Sequence, residues 1–275
     1  MRALNQPVSW WGWHWEPPVP MSVCELVQAG NMSARLAAMF WIGMERGASI
    51  IIAADPPNSG KTTTLSALLA FTPPETLVYF TRGAGEPFAL PVLSDSYPTY
   101  ILINELSDHI PVYTWDDNAR RAFELLGEGY RLASTMHDET VAGVLRQLGG
   151  DLAIPASHLA HVTFIVPLYI GKLHPVMRRV LEVAFVQPDG DSGLTSRVIA
   201  SWDLSGDSFE VLSRDEDCLA FASWSGLSVE ELTRELDARE DMLRGLLEKG
   251  ETSIVEVNNA IEAFNEQRLA GGRPA

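Results

Sequence analysis

Residues 49–64 read SIIIAADPPNSGKTTT, which joins a continuous apolar run to a polar, glycine-containing loop. The apolar half, Ser49 to Ala54, is typical of a β-strand that is buried on both faces. An apolar helical stretch begins at Leu65, soon after the sequence Gly60-Lys61-Thr62. A strand, a loop and a helix start in this order predict a phosphate-binding loop, because backbone N–H groups at a helix N-terminus bind phosphate oxygens.

The predicted loop supplies the groups that a nucleoside triphosphate needs. We expect its phosphate-binding donors to lie at Asn58, Ser59, Gly60, Lys61, Thr62 and Thr63. The Lys61 ammonium is expected to contact the β- and γ-phosphates, and the Thr62 hydroxyl is expected to hold Mg²⁺. ATP and Mg²⁺ are therefore the predicted cofactors.

One loop position departs from the usual pattern. Asp55 stands six residues before Lys61, where a glycine is expected, and two prolines follow it. Proline has no N–H, but the later loop positions keep most of the donors. A chance Gly-Lys-Thr and an irregular but functional loop are both consistent with these residues alone. The strand before the loop and the helix after it favour the functional loop.

Two later apolar runs end in polar side chains. The run from Tyr100 ends at Glu105, our candidate for the general base and for a Mg²⁺ contact through water. We expect its strand to lie next to the strand at Ser49–Ala54. The run from Gly129 ends at His137, which could sense the γ-phosphate through a hydrogen bond. Without the loop upstream, a solvated acid and an ordinary loop histidine would be the default interpretations.

Apolar runs alternate with helical stretches along much of the chain. The predicted strands lie at 49–54, 76–80, 100–103, 132–135 and 162–166, and the predicted helices include 119–126 and 140–148. This alternation predicts a largely parallel sheet with helices packed on it. Alternating residues at 179–185 and 197–202 predict an antiparallel hairpin that closes the sheet.

The two ends of the chain have a different character. Four of the eight tryptophans fall within residues 10–15, in an extended arm for which we favour packing on the protein's own sheet over docking on a partner or a membrane interface. Two capping boxes, at Ser228 and Ser253, predict two C-terminal helices. We therefore divide the chain into a Trp-rich arm (1–22), a phosphate-loop domain (23–212) and a C-terminal helical segment (213–275).

Composition excludes several classes of protein. The chain has 275 residues, with 20 basic and 36 acidic residues and a formal net charge of −16, so its surface repels nucleic acid. Its apolar runs are shorter than the roughly 20 residues that a membrane span needs. Two cysteines give neither a disulfide framework nor a cysteine metal knuckle. We expect no nucleic-acid partner and a cytoplasmic location.

These motifs, in this order, resemble the ATPases that drive type II and type IV secretion, pilus extension and retraction, and archaellum rotation. The likeness runs from about Leu26 to the C-terminus. The residues that carry it are Gly30–Arg35, Ser59–Leu65, Ile101–Asp108, Gly129 with Ser134–His137, Val144–Leu148 and Arg178–Val183.

The resemblance implies a RecA-like α/β fold with a mostly parallel sheet, an added antiparallel hairpin and a C-terminal helical cap. It also implies a hexameric motor that works beside a secretion or pilus platform protein, at the inner face of the membrane. In that family's terms, Lys61 and Thr62 bind phosphate and Mg²⁺, Glu105 is the catalytic glutamate and His137 contacts phosphate. Glu86 is the nearest match to a further catalytic acid of the family.

Three functions are compatible with the sequence. A motor ATPase of the secretion or pilus class explains the complete ordered set of motifs. A regulator or scaffold that binds ATP with little or no hydrolysis is the alternative, because Asp55 replaces a loop glycine and Ser107 stands where the family usually has arginine. A small-molecule kinase is disfavoured, since no arginine-rich lid pattern follows the second strand.

Overall fold

The predicted phosphate loop, called the phosphate loop below, follows a strand near the middle of a single β-sheet. The computed structural model describes residues 1–6, 20–171, 176–190 and 193–270, and ten strands in these ranges form the sheet. In chain order the strands are β1 (Arg2–Ala3), β2 (Ile50–Ala53), β3 (Leu77–Phe80), β4 (Thr99–Leu106), β5 (Arg131–Met136), β6 (Phe164–Ile170), β7 (Arg178–Val180), β8 (Glu182–Asp189), β9 (Gly193–Asp203) and β10 (Ser208–Val211).

The strand order is β1-β3-β4-β5-β2-β6-β8-β9-β10, and β7 pairs with β6 off this path. The pairs from β1 to β6 are parallel, whereas β7, β8, β9 and β10 join antiparallel. The protein therefore has the expected RecA-like α/β fold, with a mostly parallel sheet and an antiparallel addition. The addition differs from the predicted hairpin, because the predicted strand at 179–185 is divided between β7 and β8 and because β10 adds a further strand.

The expected position of the β4 strand is wrong. β4 is not next to β2, because β5 pairs with β2 on one edge and with β4 on the other. Polar contacts hold β5 in this place. The Leu132 N–H donates to Ser49 Oγ at 3.1 Å, and the Thr135 hydroxyl donates to the Asn104 carbonyl at 2.6 Å.

Nine α-helices lie in the described ranges. They are α1 (Val23–Gln28), α2 (Ala34–Glu45), α3 (Lys61–Leu69), α4 (Asp116–Glu128), α5 (Val141–Arg146), α6 (Ala156–Leu159), α7 (Asp215–Ser225), α8 (Val229–Lys249) and α9 (Ile254–Ala270), with a π-helical turn at Gln147–Asp151 after α5. Both predicted capping boxes form, at Ser228 and at Ser253. The C-terminal cap has three helices rather than two, because α7 forms as a separate helix that ends at Gly226 (φ 70°).

The core lies on both faces of the sheet. In β2, Ile50 and Ile52 face one apolar cluster, and Ile51 and Ala53 face the other, as alternation along a strand requires. The first cluster includes residues of α1, α2, α3 and the C-terminal helices, whereas the second includes residues of α4, α5 and α6. The strand before the phosphate loop is thus buried on both faces, as its continuous apolar sequence predicted.

The N-terminal arm is described only in part. Residues 2 and 3 pair in parallel with β3, whereas the tryptophan cluster at residues 10–15 lies outside the described residues. Within the ranges that the structure describes, no helix combines the length and apolar character that crossing a membrane requires.

Candidate nucleotide-binding site

The phosphate loop connects β2 to α3 in a conformation that favours particular residues. Gly60 precedes the first residue of α3 with a left-handed φ of 93°, and no side chain caps this end of the helix. Asn58 also has a positive φ, of 58°. Glycine adopts this region without strain, and asparagine is among the few other residues that tolerate it. The turn leaves the first backbone N–H groups of α3 as an anion-binding nest.

Lys61 is the buried cation of this loop. The residue is 7% exposed, and its ammonium donates to the Ala54 carbonyl at 2.9 Å, just after β2. Burial lowers the pKa of Lys61, while the charges of Glu105 and Asp55 act in the opposite direction. The ammonium is therefore fixed within the loop by an uncharged acceptor.

Glu105 is directed toward the loop by an irregularity in β4. The register between β4 and β5 shifts between Ile103 and Leu106, where Glu105 lies. Such irregularities often re-aim a side chain beside a functional site. The Glu105 carboxylate is buried, and its Oε1 lies 2.9 Å from His137 Nε2. The intervening strand β5 therefore brings His137 into contact with Glu105, although β4 is not adjacent to β2.

His137 joins this acid to the phosphate loop. Its Nδ1 lies 2.8 Å from the Asp55 carbonyl. Because a carbonyl only accepts, Nδ1 carries a proton, and Nε2, which faces Glu105, carries the second proton when His137 is positively charged and then donates to the carboxylate. The hydrogen bond with Glu105 raises the pKa of His137, against opposing effects of burial and of Lys61. Asp55 thus contributes its backbone carbonyl to the site, while its side chain is exposed.

The structure places an arginine over the loop that sequence reasoning did not assign to the site. Arg178, the first residue of β7, donates from Nε and Nη2 to the Asn58 carbonyl at 3.2 and 3.0 Å. A Cβ atom added to Gly60 would lie 3.4 Å from Arg178 Cδ. The sequence showed Arg178 only as the start of a hairpin, because its approach to the loop depends on the pairing of β7 with β6.

Glu86 lies in a different environment from Glu105. Its carboxylate accepts from the Tyr79 hydroxyl at 2.6 Å, from Arg82 N–H at 2.6 Å and from Phe88 N–H at 2.7 Å. Burial and the bond to Glu86 raise the pKa of Tyr79 to about 12. All three hydrogen bonds close the turn after β3, and the catalytic role of Glu86 stays a prediction.

These residues fit a phosphate-bearing ligand with a divalent cation. The nest at residues 58–63 offers backbone donors, and Lys61 and Arg178 add two positive charges at the loop. Thr62, in the first turn of α3, and Glu105 offer the oxygen atoms that Mg²⁺ prefers. The structure thus brings together Lys61, Glu105 and His137, which the sequence had placed in three separate segments.

Comparisons with known proteins identify relatives of unassigned function. No family model matches the chain. Two uncharacterized proteins of Methanocaldococcus jannaschii are similar in sequence. MJ0900 is 25% identical over 92% of this chain and 50% of its own length, and MJ1287 is 23% identical over 81% of this chain and 90% of its own length. The chain therefore spans half the length of the first of these relatives.

Among solved structures, the Legionella pneumophila ATPase DotB aligns with all of this chain and 64% of its own chain. The identity is 11% and the TM-score is 0.31. Neither sequence relative has an assigned activity, so a function has to be inferred from the site itself.

Proposed function

We propose that this protein binds ATP with Mg²⁺ at the loop between β2 and α3 and hydrolyses it. The observation that carries the proposal is the meeting of Lys61, Glu105 and His137 at the carboxyl ends of three parallel strands. A phosphate nest beside a buried carboxylate, itself in contact with a histidine, supports water attack on a γ-phosphate, because the carboxylate can accept the proton of the water.

Each group has a distinct task in this proposal. The backbone N–H groups of residues 58–63 and the Lys61 ammonium hold the phosphate oxygens. Thr62 would hold Mg²⁺ directly and Glu105 would contact it through a water molecule, and the bound ion neutralises charge on the phosphates. The Glu105 carboxylate accepts the proton of the attacking water. His137 positions that carboxylate through Nε2 and is itself held by the Asp55 carbonyl.

The finer assignment rests on the ordered motifs of the sequence. We assign the chain to the motor ATPases of type II or type IV secretion or pilus assembly, in the cytoplasm or at the inner face of the membrane. A homo-hexamer and a membrane platform protein as partner belong to this proposal. An ATP-binding regulator with little hydrolysis is the second candidate, and the observation that favours it is Asp55 in the loop.

Steady-state phosphate release from Mg-ATP tests the proposal. We expect Lys61→Ala to lose nucleotide binding, because the buried ammonium is removed from the loop. Glu105→Gln should keep nucleotide binding and lower hydrolysis by about 10²- to 10⁴-fold, which is the usual contribution of a general base.

The matched controls are Lys249→Ala and Glu75→Gln, which make the same chemical changes at exposed positions. Both should behave as the wild type. Binding without turnover in the wild type would select the regulator. Absence of nucleotide binding in the wild type, or full turnover in Glu105→Gln, would contradict the site assignment.

A further inference from the structure

A second histidine lies beside the Glu105–His137 pair. His109 is exposed in the turn that follows β4, and its ring centroid lies 5.4 Å from that of His137. One side-chain ligand atom from each of Glu105, His109 and His137 lies within 4.8 Å of the other two. The proposed function assigns no role to His109.

The chemistry of this trio differs from that of a magnesium site. Mg²⁺ prefers oxygen ligands, whereas two imidazole nitrogens and a carboxylate suit zinc and neighbouring transition metals. Zinc holds such ligands at about 2.0–2.2 Å, so ligand atoms around one ion are separated by about 3–4 Å. A spacing of at most 4.8 Å therefore needs only small side-chain rotations to close on an ion.

Neighbouring groups already orient the ring of His137 and fix the turn that carries His109. The Asp55 carbonyl binds His137 Nδ1 at 2.8 Å, which leaves Nε2 directed toward Glu105. A metal-bound histidine is usually held in this way, with its second nitrogen donating to a carbonyl or carboxylate. The backbone N–H of His109 donates to Ser107 Oγ at 3.2 Å, which fixes the turn that carries this histidine.

We propose that Glu105, His109 and His137 form a binding site for a divalent transition-metal ion of the zinc class, with solvent at the remaining position. The ion takes Glu105 Oε1 and His137 Nε2, which now contact each other, as ligands. A carboxylate bound to zinc no longer accepts the proton of a water molecule. Binding of the ion therefore inhibits hydrolysis, and this consequence alone rests on the proposed function.

The test of the site is a Co²⁺ titration of untagged, chelator-treated protein, followed by the visible absorption bands of protein-bound Co²⁺. We expect one Co²⁺ per chain, displaced by Zn²⁺. His109→Ala should weaken Co²⁺ binding by at least about tenfold, since the loss of even an outer-sphere partner typically costs 10- to 100-fold. His158→Ala is the control, because His158 is a half-buried histidine outside the trio.

Two further measurements distinguish failure of the proposed metal site from failure of the proposed function. Lys61→Ala should bind Co²⁺ like the wild type, because all three ligands remain, even though its nucleotide binding is lost. In the Mg-ATP assay, micromolar Zn²⁺ should inhibit the wild type and spare His109→Ala, whose hydrolysis without Zn²⁺ should equal that of the wild type. Equal Co²⁺ affinity in His109→Ala and the wild type would overturn the site, whatever the hydrolysis assay gives.

Discussion

Two clusters of buried charge lie in different parts of the molecule and are built in opposite ways. In the scaffold cluster, Arg239 of α8 forms ion pairs with Glu45 of α2 and with Glu235, and Arg268 of α9 also pairs with Glu235. The Arg239 side chain is only 3% exposed. Each charge in this cluster contacts an opposite charge, and together the pairs connect three helices.

The loop cluster consists of Lys61, Glu105 and His137. Here backbone carbonyls, of Ala54 and Asp55, hold the lysine and the histidine in place. A carbonyl positions a cation without neutralising it, so burial lowers the pKa of Lys61. The comparison indicates that fully paired charge serves the architecture, whereas the Lys61 ammonium, which a neutral carbonyl holds, fits the anionic ligand of the proposed function.

The largest expected effect comes from breaking the scaffold cluster. Arg239→Ala leaves Glu45 and Glu235 without this partner and removes a guanidinium that lies 5.3 Å from the Trp41 ring centroid. Removing one partner of a buried ion pair typically costs about 3–5 kcal/mol. We expect a loss of this size in the free energy of unfolding, measured by urea denaturation.

Arg244 of the same helix provides the matched control. It pairs with Glu240 four residues earlier, as Arg239 pairs with Glu235, but its side chain is 59% exposed. Exposed pairs contribute at most about 1 kcal/mol, so Arg244→Ala should change the free energy of unfolding little. Equal losses in the two variants would show that burial is not what makes the scaffold cluster strong.

A smaller effect is expected from Glu86→Gln, which we compare with Glu105→Gln because both acids are buried. Glu86→Gln weakens the hydrogen bonds from Tyr79, Arg82 and Phe88, and we expect it to lower the free energy of unfolding by about 1–3 kcal/mol. Hydrolysis should be retained, in contrast to Glu105→Gln. Loss of turnover at unchanged stability would instead place Glu86 with the reactive groups, as the sequence predicts.

The parts of the site that the sequence predicted depend on local pattern. The order of apolar strand, glycine turn and helix start predicted the loop, and strand ends at Glu105 and His137 predicted the flanking groups. These patterns can be recognised in the sequence alone, because side-chain alternation and helix starts are determined within a few residues. Asn58 in a left-handed turn also follows a local preference.

The remaining features depend on which distant segments meet. No pattern within β4 shows that β5 separates it from β2, since the order of strands is set by packing on both faces of the sheet. The positions of Arg178 and His109 near the site also depend on how distant segments pack, so the sequence did not predict them. Arg239 is similar, because a charged residue in an amphipathic helix gives the pattern of a solvated face until Glu45 of a distant helix covers it.

The smallest expected effect is the pH dependence of the loop cluster. The bond with Glu105 raises the pKa of His137 above its ordinary value of about 6.5. A raised histidine pKa means that the folded protein binds the proton more tightly than the unfolded chain. The stabilisation is therefore complete below about pH 6.5 and is lost as the pH rises through the folded pKa.

His161 changes the free energy of unfolding with pH in the opposite direction, so it serves as a comparison for His137. Burial lowers the pKa of His161, so its protonation favours the unfolded chain, and stability falls as the pH decreases through the range below about 6.5. Urea denaturation at pH 6 and pH 9 should show that His137→Gln loses more stability at pH 6. His161→Gln should gain stability, relative to the wild type, at the lower pH. Parallel behaviour of the two variants would contradict a proton shared between His137 and Glu105 in the folded protein.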